Sequence, residues 1–155
     1  MDELEYFPDS SVPTAPSMTS ISIPNLAAEL ESSSPELVAG EEGRAILVLR
    51  NTGLAKIEFH TDSVLVGRVL NTLREPVGTD DIAVAGMSTM VLLAYKQELE
   101  IPVVFNTSSH LNVEGRIPPG EYLLGVRLPI YNDGEGSYVT RVIEVAPIEL
   151  RVLAR

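Results

Sequence analysis

The stretch from Pro118 to Leu128 most constrains the fold of this chain, because a turn leads directly into a strict two-residue alternation. Proline and glycine at 118–120 are turn residues. The following positions on one side are large and apolar: Tyr122, Leu124, Val126 and Leu128. Side chains two residues apart share one face of a strand. The pattern therefore predicts a half-buried strand of an antiparallel sheet.

Similar short runs recur along the rest of the sequence, separated by turn residues. The apolar or alternating runs cover 26–31, 44–50, 57–70, 89–95, 99–105, 138–145 and 148–152. The run at 44–50 has an unbroken apolar centre, as in a central strand whose two faces are at least partly covered. The count of eight to ten strands, with turns about every 8 to 12 residues, predicts an all-β fold, either an antiparallel sandwich or a barrel.

The run at 99–105 carries features of an edge strand. Pro102 lacks the backbone N–H that a ladder needs, so a proline favours an edge or a bulge. Glu98 and Glu100 lie two residues apart on one predicted face, where charges discourage pairing with another sheet. This run and the C-terminal one are the strands we expect to join a neighbour's sheet, if the protein forms a homo-oligomer through its edges.

Length and composition bound the class of protein. A chain of 155 residues suits a single domain with its own core. The absence of cysteine excludes a disulfide scaffold and is compatible with a reducing compartment. No apolar run has the length of a membrane span, and the acidic N-terminus is unlike a signal peptide. We therefore expect a cytoplasmic protein that does not act at a membrane.

The net charge of −11 is concentrated at the N-terminal end. The first 43 residues contain nine acids and no lysine or arginine, whereas the remainder has thirteen acids and eleven bases. Binding to a nucleic-acid backbone requires clustered cations that displace counterions, and an anionic membrane requires them too. The charge distribution argues against both kinds of partner.

Residues 1–24 combine acids, serines and four prolines with few large apolar groups, which predicts a disordered arm before a folded domain at 25–155. Within this arm, Leu4, Tyr6 and Phe7 lie among acidic residues. Such a composition suits docking into a hydrophobic groove with a basic rim. The alternative is an arm that only keeps the protein solvated.

The sequence contains no catalytic signature. His60 and His110 are the only candidate bases near neutral pH, and neither lies in a nucleophile motif such as Gly-x-Ser-x-Gly. No glycine-rich phosphate loop precedes a helix, and no spacing supplies a set of metal ligands. We therefore expect no enzyme activity, no cofactor and no bound metal.

Three features together resemble the immunoglobulin-like β-sandwich modules of bacterial proteins. They are a turn at 51–53 after an apolar strand, an apolar strand at 86–94 after a glycine turn, and Pro119-Gly120-Glu121-Tyr122 entering a late strand. The chain is also similar in size, acidity and lack of cysteine to intracellular proteinase inhibitors with this fold. The resemblance implies an antiparallel sandwich, and a corner role for Tyr122, whose hydroxyl would bond back to the backbone.

For function, we expect a non-enzymatic module that binds another protein through its end loops, its edge strands or the acidic arm. Loops carry binding because rigid sheets position them. Besides the three apolar residues of the arm, the predicted contact residues are Asp80, Asp81, Ser108, Ser109, His110, Asn132 and Asp133. A protease inhibitor that inserts one loop into its target, and a structural subunit of an assembly, are the alternatives.

Overall fold

The computed structural model describes residues 19–33, 36–79, 82, 87–109, 114–131 and 141–155. These residues form thirteen strands and no helix, so none of them belongs to a helix that crosses a membrane. The strands are β1 (Thr19–Ser20), β2 (Leu26–Ser32), β3 (Glu36–Val38), β4 (Glu42–Asn51), β5 (Ile57–Asp62), β6 (Leu65–Val66), β7 (Arg68–Leu70), β8 (Ser88–Leu93), β9 (Glu98–Asn106), β10 (Gly120–Gly125), β11 (Arg127–Ile130), β12 (Arg141–Glu144) and β13 (Ile148–Leu153).

The longest pairing joins β4 to β9 in a four-stranded sheet with the order β2-β4-β9-β6. The two strands are antiparallel from the Glu42–Asn106 pair to the Arg50–Glu98 pair. Leu47 and Leu49 on β4 are fully buried, while Ile46 and Val48 on the other face are half-buried. The prediction that the run at 44–50 is a central strand covered in part on both faces is confirmed.

The alternation after Pro118 forms two successive strands rather than one. β10 lies in a sheet with the order β3-β13-β10-β7, and β11 lies in a second sheet with the order β1-β12-β11. The ladder passes from one sheet to the other at Val126. Leu124 and Leu128 are nevertheless fully buried on the same side, as the sequence predicted.

A two-stranded sheet of β5 and β8 completes the fold. The backbone N–H of Tyr131 donates to the carbonyl of His60 at 2.9 Å, and this bridge attaches β5 to the end of β11. The predicted strand at 89–95 is confirmed as β8, but Met90 and Leu92 on its outer face are about half exposed.

All four sheets contribute to one apolar core. Its largest fully buried side chains include Leu47 and Phe105 of the β2-β4-β9-β6 sheet, Leu124 and Leu150 of the β3-β13-β10-β7 sheet, and Leu128 of β11. Burial of apolar surface of this kind is the main favourable term in folding. The predicted all-β class is confirmed.

Tyr122 bonds back to the turn that precedes its strand. Its hydroxyl donates to the carbonyl of Pro118 at 2.6 Å, four residues upstream. Partial burial of the ring raises the pKa of the Tyr122 phenol, so the hydroxyl remains a donor at neutral pH. The expected bond from Tyr122 to the backbone is confirmed.

Asn51 is a fully buried polar residue at the end of β4. Its side-chain amide nitrogen donates to the carbonyls of Ala55 and Leu93, at 2.8 and 2.9 Å. Its side-chain oxygen accepts from the N–H of Gly53 at 2.9 Å. One amide thus holds the turn at 51–55 against the end of β8, and all of its polar atoms have partners.

Of the two strands that we expected to join a neighbour's sheet, β13 is interior, and β9 is interior only where β6 pairs with it. β13 lies between β3 and β10, and β9 pairs with β4 along its whole length. β6 pairs with β9 only at Val103 and Val104, so Pro102 lies just outside the part of β9 that has two neighbours. Pro102 therefore lies in a stretch of β9 that has one pairing partner among the described residues, as its missing N–H predicts, and β9 gains its second partner only at Val103.

The structured part of the chain includes residues before the expected boundary at residue 24. Thr19 and Ser20 pair in parallel with Arg141 and Val142 of β12, and the N–H of Ile21 donates to the carbonyl of Val142 at 2.9 Å. Ile21 and Ile23 pack against the core. Nothing in the local pattern of these residues indicates this pairing, since its partner lies about 120 residues away in the sequence.

We expect Asn51→Asp to lower the free energy of unfolding by about 3 kcal/mol or more, because it removes two donors and places a charge in the core. Asn71→Asp is the matched control: Asn71 lies in an exposed turn, and this change should cost less than about 1 kcal/mol. Urea unfolding followed by circular dichroism measures both. Equal losses in the two variants would contradict a special role for Asn51.

Candidate functional site: an arginine-lined groove

An open groove with a volume of about 950 Å³ lies where the β3-β13-β10-β7 sheet parts from the β1-β12-β11 sheet. Here β10 is separated from β11 by Val126, and β12 is separated from β13 by residues 145–147. The N–H of Val145 still donates to the carbonyl of Val126, at 3.4 Å. We call this site the arginine groove. It is lined by Val66, Arg68, Leu70, Arg74, Pro76, Gly125, Val126, Arg127, Glu144, Val145, Ala146 and Pro147.

Two of its three arginines are fixed by strand pairing. Arg68 begins β7 and lies opposite Gly125 in the ladder, and its Nε donates to the carbonyl of Gly78 at 3.1 Å. Arg127 begins β11, and its Nε lies 3.2 Å from a carboxylate oxygen of Glu144. Both side chains of this ion pair are about half exposed or more, so the pair contributes little to stability.

The third arginine is presented by a tight turn after β7. The side-chain oxygen of Asn71 accepts from the N–H groups of Leu73 and Glu75, at 2.9 and 3.0 Å. The N–H of Arg74 donates to the carbonyl of Asn71 at 2.9 Å. This turn holds Arg74 at φ 65°, in the left-handed region that disfavours residues other than glycine and asparagine.

The charge of the groove is opposite to that of the chain. Among the described residues, three arginines and one glutamate line it, whereas the chain as a whole has a net charge of −11. Guanidinium groups bind carboxylates through two parallel hydrogen bonds, and valine, leucine and proline supply apolar wall between them. The volume is within the roughly 300–1,000 Å³ of ligand pockets. The groove is therefore suited to a ligand with carboxylates and apolar groups.

A second polar cluster lies at the junction of β5 and β11. The hydroxyl of Tyr131 donates to a carboxylate oxygen of Asp62 at 2.7 Å. Burial, this hydrogen bond and the negative charge of Asp62 raise the pKa of Tyr131 to about 12. The Nδ1 atom of His60 is buried without a hydrogen-bond partner in the described part of the chain. Among the described residues, no three acidic or histidine side chains form a group that could hold a metal ion.

Most of the contact residues predicted from the sequence lie outside the described residues. They are Leu4, Tyr6, Phe7, Asp80, Asp81, His110, Asn132 and Asp133. The roles predicted for them remain predictions.

Ser108 and Ser109 are among the described residues, and the backbone N–H of each donates a hydrogen bond within the fold. The N–H of Ser108 donates to the side chain of Asn106 at 2.8 Å, and Ser108 is half-buried. Ser109 is only 5% exposed, and its N–H donates to the carbonyl of Gly115 at 3.0 Å. The roles predicted for Ser108 and Ser109 as contact residues remain predictions, although Ser109 exposes little surface to a partner.

Arg68, Arg74 and Arg127 were not among the contact residues predicted from the sequence. They lie far apart in the chain and meet only because β7 pairs with β10, which β11 follows. The available signal was weak: Arg68 and Arg127 each flank an apolar run, and Arg74 follows a turn-forming asparagine. No local spacing brings three such positions together.

No protein-family model matches the chain, and no curated protein matches it either. Among solved structures, a β-glucosidase from Erythrobacter marinus is 11% identical, with a TM-score of 0.44 over 83% of this chain and 15% of that one. A β-glucosidase from Listeria innocua is 15% identical, with a TM-score of 0.43 over 84% of this chain and 16% of that one. The chain thus spans about one sixth of these enzymes.

The CARDB domain of a Pyrococcus furiosus protein is 12% identical, with a TM-score of 0.42 over 93% of this chain and all of that domain. With TM-scores below 0.5 and such low identities, these similarities define neither a family nor an activity for the chain.

We expect Arg74→Gly to leave the free energy of unfolding unchanged or to raise it by up to about 1 kcal/mol. Glycine removes the penalty of positive φ, and the gain is offset in part by the greater freedom of the unfolded chain. Lys96→Gly is the matched control, because Lys96 is a cation at φ 66° in another turn. Urea unfolding checks both. A loss of more than about 1 kcal/mol only in Arg74→Gly would assign the Arg74 side chain to the fold instead of to a ligand.

We expect Tyr131→Phe to lower the free energy of unfolding by about 1 kcal/mol at pH 7, because it removes the bond to Asp62. A phenol pKa that folding raises from 10 to about 12 favours the folded state fully below pH 10, and this contribution is lost as the pH rises towards 12. The gap between parent and variant should therefore close between pH 10 and 12. Urea unfolding across pH 7–12 measures it, and a gap that stays constant would contradict the assignment.

Proposed function

We propose that this chain is a non-enzymatic protein-binding module with an immunoglobulin-like β-sandwich fold, and that the arginine groove is its binding surface. The fold assignment draws support from the four sheets that share one core. It draws further support from the bond between Tyr122 and Pro118, since sandwiches of this type often carry a corner tyrosine at this place.

The observation that carries the binding proposal is the concentration of three arginines in one groove of an acidic chain. Arginine is enriched at the energetic centres of protein interfaces, where its planar group combines charge with apolar contact. The neighbouring Val126, Val145 and Pro147 provide the apolar contact here.

The groove is also built from parts that hold their shape. Its floor and sides come from β7, β10, β11 and the segment that joins β12 to β13. Ladder pairing fixes Arg68 and Arg127, and a turn closed by Asn71 fixes Arg74. A site that is already ordered loses less entropy when a ligand binds.

We expect a partner captured from a lysate of the source organism by the full chain to be lost when the groove is neutralised. The test variant is Arg74→Gly/Arg127→Gln, which reduces the cations of the groove from three to one. The matched control is Lys96→Gly/Lys56→Gln, which makes the same kinds of change at exposed lysines outside the groove. Mass spectrometry identifies the proteins that each version retains.

Loss of the partner from the groove variant alone supports the proposal. Retention of the same partner by both variants would move recognition to another part of the surface. Because each double variant replaces one positive-φ cation by glycine and one exposed cation by glutamine, differences in their folding are expected to be small.

A further inference from the structure

We infer that the arginine groove holds the chain's own acidic N-terminal segment, residues 2–9, bound in cis. The inference rests on the proposed function, because it takes the groove as a binding site. It adds the identity of an occupant, and with it a means of regulating access to the site.

Charge complementarity is the first observation. Residues 1–18 contain Asp2, Glu3, Glu5 and Asp9 and no lysine or arginine. Among the described residues, the lining of the groove has three arginines, Arg68, Arg74 and Arg127, and one carboxylate, that of Glu144. That carboxylate is already engaged, since it accepts from the hydroxyl of Ser20 at 3.2 Å and pairs with Arg127. A single exposed charge pair contributes little, so the attraction depends on several charges of the segment and the groove acting together.

Apolar complementarity is the second. Leu4, Tyr6 and Phe7 are the large apolar residues of the segment, and they lie among its acids. Val66, Leu70, Pro76, Val126, Val145 and Pro147 form the apolar part of the groove. The acidic and aromatic composition of residues 2–9 is suited to a hydrophobic groove with a basic rim, and the arginine groove is of this kind.

Reach is the third. The described chain begins at Thr19, which pairs with Arg141 at the start of β12. The end of the same strand, Glu144, lines the groove, three residues further along or about 10 Å away. Residue 9 is ten residues before Thr19, a stretch that spans up to about 33 Å when extended. The segment therefore reaches the groove with chain to spare.

Tethering makes even weak docking effective. A short linker gives the segment an effective concentration on the order of 1 mM at the groove. A segment with an intrinsic Kd of about 1 mM would then occupy its site about half of the time. A partner that binds the groove must compete with this segment, so its apparent affinity falls by the occupied fraction.

A single spin label tests the inference in the full chain. The sequence has no cysteine, so Ser10→Cys creates one attachment site for a nitroxide, next to Asp9. Amide signals of a nitrogen-15 labelled chain broaden when the nitroxide is near them. We expect broadening at Gly125, Val126 and Ala146 at low salt, and its loss at about 1 M salt, where screening acts over about 3 Å.

The groove variant Arg74→Gly/Arg127→Gln and the control Lys96→Gly/Lys56→Gln are then compared, each with the same label. A tenfold loss of affinity lowers occupancy from about one half to about one tenth, so broadening should drop about fivefold in the groove variant and stay unchanged in the control. Absence of broadening in the parent chain, or equal broadening in both variants, overturns the inference.

Mixing experiments separate this inference from its neighbours. Chains that carry the nitroxide but no nitrogen-15 are mixed with nitrogen-15 chains that carry no nitroxide. If the groove signals of the nitrogen-15 chains broaden, a second copy supplies the segment, and docking in cis is wrong. The proposed function is judged separately, because the capture experiment reports whether an outside partner needs the groove. If a partner is captured through the groove but no broadening occurs, the proposed binding function is supported and docking of the segment in cis is rejected. If broadening occurs but no partner depends on the groove, only the proposed binding function is rejected.

Discussion

The fold depends on one buried amide at the end of its longest ladder. Asn51 is the last residue of β4, and its side chain joins the turn that follows to the end of β8 through three hydrogen bonds. An unpaired amide at this depth would cost more than most single apolar contacts provide. The three bonds satisfy the amide only while the turn lies against the end of β8, so Asn51 links the end of β4 in the β2-β4-β9-β6 sheet to the β5–β8 pair.

The groove arises from a second constraint, the way in which one long alternation is shared between two sheets. Leu124 and Leu128 point into the same core, yet the strands that flank them differ, so the ladder is interrupted at Val126. The neighbouring strand path is interrupted at the same level, at 145–147. A gap between two sheets suits a binding site because paired strands give its walls a fixed shape. Its rim consists of strand ends and turns, where charged side chains are tolerated.

Sequence patterns predicted the strands far better than their partners. Alternation at 44–50 and 120–128 is local, so it is readable without knowledge of the fold, and the hydroxyl bond of Tyr122 spans only four residues. The pairing of Thr19 with Arg141 and the convergence of Arg68 with Arg127 are long-range and have no periodic signal. Pro102 correctly indicated a stretch of β9 without a second ladder partner, but it did not indicate that β6 pairs with the next two residues, Val103 and Val104.

Three short strands run parallel to their partners, and each lies at the margin of its sheet: β1 beside β12, β3 beside β13 and β6 beside β9. Each has only two or three residues. Very short marginal strands offer too few backbone donors and acceptors for another chain to extend the sheet. At these three sheet margins, the strands therefore leave little backbone that another chain could extend.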